Sequence, residues 1–150
     1  MMKGLKTVFI VIIGLLCLTG CGEKKLTCTY EENDSGVKTN QKIEMKFKDD
    51  KVTAIKMSID SKATDEEAKS SWNMVTSLLE AAYEEVDEEG LKVTFKNDEK
   101  NYSYNLTFDV DLAKVKEENL EKYDLDSIVD STSSLEEVKK SAEEDGFTCK

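Results

Sequence analysis

Four cysteines, Cys17, Cys21, Cys28 and Cys149, hold most of the reactive chemistry open to this 150-residue chain, which has no histidine at all. Without histidine, a Ser-His-Asp or Cys-His arrangement has no general base. Zinc would lack its usual imidazole ligand. No two cysteines stand in a CxxC pair, so neither disulfide exchange nor a structural zinc site has its expected spacing. The phosphate-cradling glycine patterns GxxxxGK and GxGxxG are absent. A Ser–Lys pair or two close carboxylates remain as catalytic chemistry, and no motif places either. The expectation is no catalytic residues, no metal ligands and no cofactor.

Cys21 stands in a specific context. Met1-Met2-Lys3-Gly4-Leu5-Lys6 carries two lysines and no acid. An uncharged apolar run from Thr7 to Leu18 follows. It is short for a membrane span, which needs about 20 apolar residues, and fits the apolar region of a secretory signal. It ends in Leu18-Thr19-Gly20-Cys21, which resembles the lipobox of bacterial lipoproteins at all four positions. The resemblance implies diacylglyceryl transfer to the Cys21 sulfur and cleavage after Gly20. Two acyl chains anchor a protein far more durably than one, at about 0.8 kcal/mol per buried methylene. The expected organisation is a cleaved signal peptide (1–20), a lipidated start and short polar tether (21–25) and one folded domain (26–150). The expected location is the outer side of the cell membrane, with the lipid on Cys21 as the membrane contact.

Composition narrows the partners. All 21 positive side chains are lysine, against 32 acids, for a net charge of −11. Loss of Lys3 and Lys6 with the signal peptide widens the acid excess by two. So acidic a surface repels nucleic acid and anionic lipid heads, and the missing arginine removes the bidentate phosphate reader. The domain is small for a two-lobed solute receptor.

Cys28 and Cys149 lie at opposite ends of the expected domain. They either form a disulfide, if the ends meet, or stay as two free thiols. A bond closing so long a loop contributes on the order of 4–5 kcal/mol.

Acid-rich segments invite a test for cations. Glu31, Asn33, Ser35 and Gly36 imitate the start of a calcium loop, but the bidentate glutamate position falls on Lys42, so a hairpin turn is expected. Asp109 and Asp111 share one strand face, and Asp111 reads better as a helix cap. Glu84, Glu85, Asp87, Glu88 and Glu89 read as a solvated acidic helix end, an electrostatically unfavourable place for them. Trp72, Tyr102 and Tyr104 read as core, with Tyr83 the freest aromatic residue.

Periodicity supplies the frame around these residues. Leu26, Cys28 and Tyr30 alternate with polar residues, as do Ile43, Met45 and Phe47, then Ile55, Met57 and Ile59: three strands. Thr64 to Glu67 reads as a capping box. It opens a helix with Ala68, Trp72, Val75, Leu79, Ala82 and Val86 on one stripe, ended near Gly90. Leu91, Val93 and Phe95 make another strand, and Tyr102 to Val110 a longer one. Asp111 caps a short helix carrying Leu112, Val115 and Leu120. Ser127-Ile128-Val129 reads as a brief extended link. Ser134 and Glu137 form a second capping box, before a helix that buries Leu135, Val138 and Ala142 and stops at Gly146. A final extended Phe147-Thr148-Cys149 beside the first strand would bring Cys149 to Cys28. The expected fold is α+β: an antiparallel sheet with helices on one face, readable as two strand–turn–strand–helix units plus a C-terminal helix.

The lipobox, the small acidic domain, the strand-rich units around a long helix and the closing helix before Gly146-Phe147 together resemble the YehR-like lipoproteins, the DUF1307 family. The resemblance covers most of the chain after Cys21 and implies address and fold, with no established activity. The functional expectation is a non-enzymatic binding or interaction module of the cell envelope, meeting an envelope protein or wall partner through the helix-free face of its sheet. The alternatives are an envelope hydrolase using carboxylates or Ser–Lys, and a thiol/disulfide-sensitive module.

Overall fold

Alternation of apolar and polar residues puts every second side chain on one face of a strand, and seven strands of this chain obey it in one sheet. The computed structural model describes residues 22–83, 86–123, 125 and 133–150. The expected lipobox residues Leu18, Thr19, Gly20 and Cys21, the expected link Ser127-Ile128-Val129, and Glu84 and Glu85 lie outside the described residues.

Strands β1 (Lys24–Asp34), β2 (Val37–Lys48) and β3 (Lys51–Ala63) form a long meander. Helix α1 (Glu66–Ala82) follows, then β4 (Val86–Glu88), β5 (Leu91–Asp98) and β6 (Ser103–Asp111). Helices α2 (Glu117–Lys122) and α3 (Leu135–Glu144) and the two-residue strand β7 (Thr148–Cys149) complete the order. The sheet runs β4-β5-β6-β3-β2-β1-β7, antiparallel at every pairing. The α+β architecture is the one expected.

Register lines up the apolar residues in rungs across the strands. Leu26, Met45, Ile55, Val110 and Leu91 form one rung. Cys28, Ile43, Met57, Phe108 and Val93 form the next. These rungs make the main core, covered by Leu120, Leu125, Leu135, Val138 and Ala142. The helices therefore sit on one face, as the pattern requires. The other face is polar: Thr27, Glu44, Lys56, Asp109 and Lys92 share a rung whose charges alternate strand by strand. Opposite charges on neighbouring strands attract, so this face is stable in water without a cover.

Turn chemistry sets the lengths. Ser35 and Gly36 both have positive φ (49° and 73°), the requirement of a two-residue I′ hairpin. The calcium-like segment is thus this hairpin. Asp49 and Asp50 repeat the device between β2 and β3. The Ser35-Gly36 hairpin extends β1 and β2 well past the apolar residues that mark them in the sequence.

Several expectations fail at element ends. Asp65, not Thr64, caps α1, accepting a hydrogen bond from the Ala68 amide at 2.8 Å. The Thr64 hydroxyl instead donates to the Gly36 carbonyl at 2.9 Å. A carboxylate beside the positive helix start is the stronger cap electrostatically. The helix stops at Ala82, and Val86 starts β4. Gly90, with φ +81°, turns the β4–β5 hairpin instead of ending the helix. Asp87 and Glu88 are therefore strand residues, not a helix end. Asp111 accepts from the Ala113 amide at 3.0 Å but caps only a turn; α2 starts later, behind Lys116, without a side-chain cap. Tyr102 (φ 48°) lies in the turn before β6. Tyr83, expected to be the freest aromatic residue, packs edge-on against Phe108 at 5.5 Å.

The C-terminus behaves as read. Ser134 and Glu137 make the reciprocal capping box. Gly146 has φ +89°, and the Phe147 amide reaches back to the Ala142 carbonyl at 2.9 Å, the Schellman ending. β7 then pairs beside β1, placing Cys149 opposite Cys28. The two are joined in a disulfide with Cα atoms 4.1 Å apart.

Candidate functional site

The two ends of the sheet differ in what lies on the buried face. Near the start of β1, the Leu26 and Cys28 rungs are apolar throughout. Two rungs beyond Cys28, the face turns polar: Glu32, Thr39, Ser61, Tyr104 and Asn97 are aligned. β1 has 11 residues at about 3.3 Å each, so the Ser35-Gly36 hairpin lies roughly 35 Å from the start of the strand.

Over this polar end lies α1. Its buried residues are Ala68, Trp72 and Thr76, spaced by four so that they share one helical stripe. Trp72 stacks on Tyr104 with ring centroids 5.7 Å apart, and Tyr104 also meets Phe95 at 5.6 Å. The Thr76 hydroxyl returns to the Trp72 carbonyl at 3.0 Å, which satisfies it inside the packed stripe.

Between the start of α1 and the β1–β2 hairpin, a groove of about 490 Å³ remains open. That falls within the usual size of small-ligand sites, roughly 300–1,000 Å³. On its sheet side are Val37, Thr39, Ser61 and Tyr104. The Thr39 and Ser61 hydroxyls are 3.0 Å apart and share a hydrogen bond, and Ser61 is only 3% exposed. On the helix side are Ala68, Trp72 and Val75. The indole N–H of Trp72 is buried without a hydrogen-bond partner among the described residues. A buried, unmet donor costs about 1–3 kcal/mol, so this end of the sheet is packed less favourably than the apolar end.

Electrostatically the groove is acidic. Asp65 and Glu67 line it, and no lysine does. Asp65 is held by the helix start and packs against Gly36. Glu67's carboxylate makes no hydrogen bond or ion pair among the described residues. Nearby Lys69 is tied to Glu66 at 2.7 Å and lies 5.9 Å from the Tyr102 ring. That contact with Glu66 raises its pKa, keeping the cation engaged elsewhere.

The sequence placed Trp72 and Tyr104 in the core, and they are packed together there. It did not foresee the groove beside them. It also put Val75 and Leu79 on the buried stripe; Val75 is exposed and lines the groove, and Leu79 is half-buried. Met74 and Leu78 are 67% and 66% exposed, so α1 carries an apolar flank continuous with Val75. A signal for this was present: Met74, Val75, Leu78 and Leu79 make the stripe wider than one sheet contact needs.

Cys28 and Cys149 are brought together far from the groove, in the main core. Asp109 and Asp111 stay on the polar face, Asp111 paired with Lys114 at 3.3 Å. Among the described residues, no three cysteine, aspartate or glutamate side chains gather as metal ligands. No helix among the described residues is long and apolar enough to cross a membrane.

No protein-family model matches the chain, and no curated protein sequence matches it. Two solved structures are matched. An NMR structure of a protein from Streptococcus pneumoniae TIGR4 is 14% identical, covers 86% of each chain and has a TM-score of 0.58. It shows that this fold is built by a very different sequence. The NMR structure of the Escherichia coli YehR protein is 18% identical, covers 85% of this chain and 92% of that one, and has a TM-score of 0.47.

Proposed function

We propose that this chain is a lipid-anchored lipoprotein of the YehR-like kind, held on the outer side of the cell membrane as a non-enzymatic binding module. The observation that carries the binding role is the open groove between α1 and the hairpin end of the sheet. The address rests on the Leu18-Thr19-Gly20-Cys21 lipobox behind a basic and then apolar start. The family reading rests on the same lipobox, the acidic composition and the order of the strand and helix patterns.

The arrangement suits a tethered receptor. β1 starts at Lys24, three residues after Cys21. The groove lies at the far end of that strand, so the sheet would act as a spacer of roughly 35 Å between membrane and ligand. The Cys28–Cys149 bond is buried and serves as a staple that closes the domain just beyond the tether.

The test uses a photo-crosslinker on intact cells. Val75→p-benzoylphenylalanine, in the groove wall, is expected to give a discrete adduct. Thr107→p-benzoylphenylalanine, on the polar face, is expected to give none. Adducts of equal yield from both positions, or none from Val75, would sink the groove as the working site. Cys21→Ser should leave an uncleaved, unlipidated chain by mass spectrometry; normal processing of that variant would overturn the address.

A further inference from the structure

Resting on the groove reading above, we propose that its ligand is a primary ammonium group on an apolar stem, as the lysine side chain of an extended peptide presents. Two features of the groove define that chemistry. Its charge is purely acidic: Asp65 and Glu67 line it, and Glu67's carboxylate is uncommitted among the described residues. Its walls offer Val37, Val75 and Tyr104 to a methylene chain. Behind those walls lies the buried Trp72, whose ring backs the groove and senses what enters it.

Other occupants fit less well. A divalent cation prefers six or more oxygen ligands, and the groove supplies two carboxylates, one already capping α1. A sugar ring wants an open aromatic face to stack upon; Trp72 is 2% exposed, with one face on Tyr104. Anionic groups meet repulsion with no lysine to offset it. A carboxylate in a half-open groove attracts an ammonium by no more than about 1 kcal/mol, so specificity needs the apolar stem as well.

Trp72 is the chain's single tryptophan, so its indole N–H gives one NMR resonance and its emission reports on the groove alone. The full chain in detergent would be titrated with the blocked tripeptide Ala-Lys-Ala. The comparison probes are the same peptide with norleucine, the same peptide with Nε-acetyl-lysine, and glucosamine. A saturable shift of the indole resonance is expected with Ala-Lys-Ala, roughly fivefold weaker affinity with norleucine, and weakening by salt. Glu67→Gln should weaken Ala-Lys-Ala binding about two- to fivefold, and Glu136→Gln on α3 should not. Equal affinity for lysine and norleucine, tighter binding of glucosamine, or no effect of Glu67→Gln would each overturn the ammonium proposal. If no probe moves the indole while the Val75 crosslinker still gives its adduct, the groove remains the binding site and its ligand is of another class.

Discussion

The end of the sheet where β1 begins is dry and closed, whereas the hairpin end is partly polar and open. At the first, Phe47, Leu91, Val93 and Cys28 are fully buried beneath helices and the C-terminal segment, and a disulfide ties β7 to β1. At the second, a small cluster of Ala63, Ala68 and Trp72 stands apart from the main core, around a hydrogen-bonded hydroxyl pair and a lone indole donor. Dense apolar packing maximises stability and leaves no room for a ligand. The hairpin end has given up some of that packing, which is the usual signature of a site.

Mutations can break this contrast. The largest effect is expected from Phe47→Ala at the closed end, at about 3–5 kcal/mol of destabilisation in urea unfolding. A loss below about 1 kcal/mol there would show that the closed end is not the stability centre. Next comes Cys28→Ala with Cys149→Ala, for which about 2–4 kcal/mol is expected by the same measurement, below the loop-closure value of about 4–5 kcal/mol because the unfolded chain is already partly compact. The groove should keep its Trp72 emission in that variant below the transition; a changed spectrum would mean that the two ends are coupled. Third, Asp65→Ala removes the α1 cap and should cost about 1 kcal/mol, with a loss of order in α1 visible in amide hydrogen exchange. Equal deprotection of α3 would deny that the effect is local.

The smallest effect is electrostatic. Hydrogen bonds from the Asn101 side chain and backbone hold the Asp98 carboxyl below its ordinary 3.8. The folded pKa is depressed, so the stabilisation is present above pH 3.8 and is lost as pH falls through the lower folded value. Asn101→Ala should move Asp98 upward toward its ordinary value in an NMR titration; an unchanged Asp98 would disprove that cause. Being fully exposed, Asp98 should leave the groove and its ligand affinity untouched.

Most strands could be read from the sequence because each carries its own alternation, as Ile43-Met45-Phe47 and Leu106-Phe108-Val110 do. α3 was equally plain, with Ser134 and Glu137 at one end and Gly146 at the other. The misreadings lie where two local signals compete. Thr64 and Asp65 are both good caps, and only contact with Gly36 decides between them. Val86 continues the α1 stripe by period, yet pairs with Val93 because the β4–β5 hairpin claims it. The groove had no sequence signal of its own: Thr39, Ser61 and Trp72 are distant in the chain and met through strand register.

The sequence by itself determined most of the strands and their inward faces, the acidic charge, the lack of histidine chemistry and the lipobox-like Leu18-Thr19-Gly20-Cys21, because each depends on neighbouring residues alone. Tertiary structure decided that Cys28 faces Cys149, that α1 covers only part of the sheet, and that Asp65, Glu67 and Trp72 border one acidic groove. These depend on register and helix placement, which are settled by long-range packing and not by any local stretch of chain.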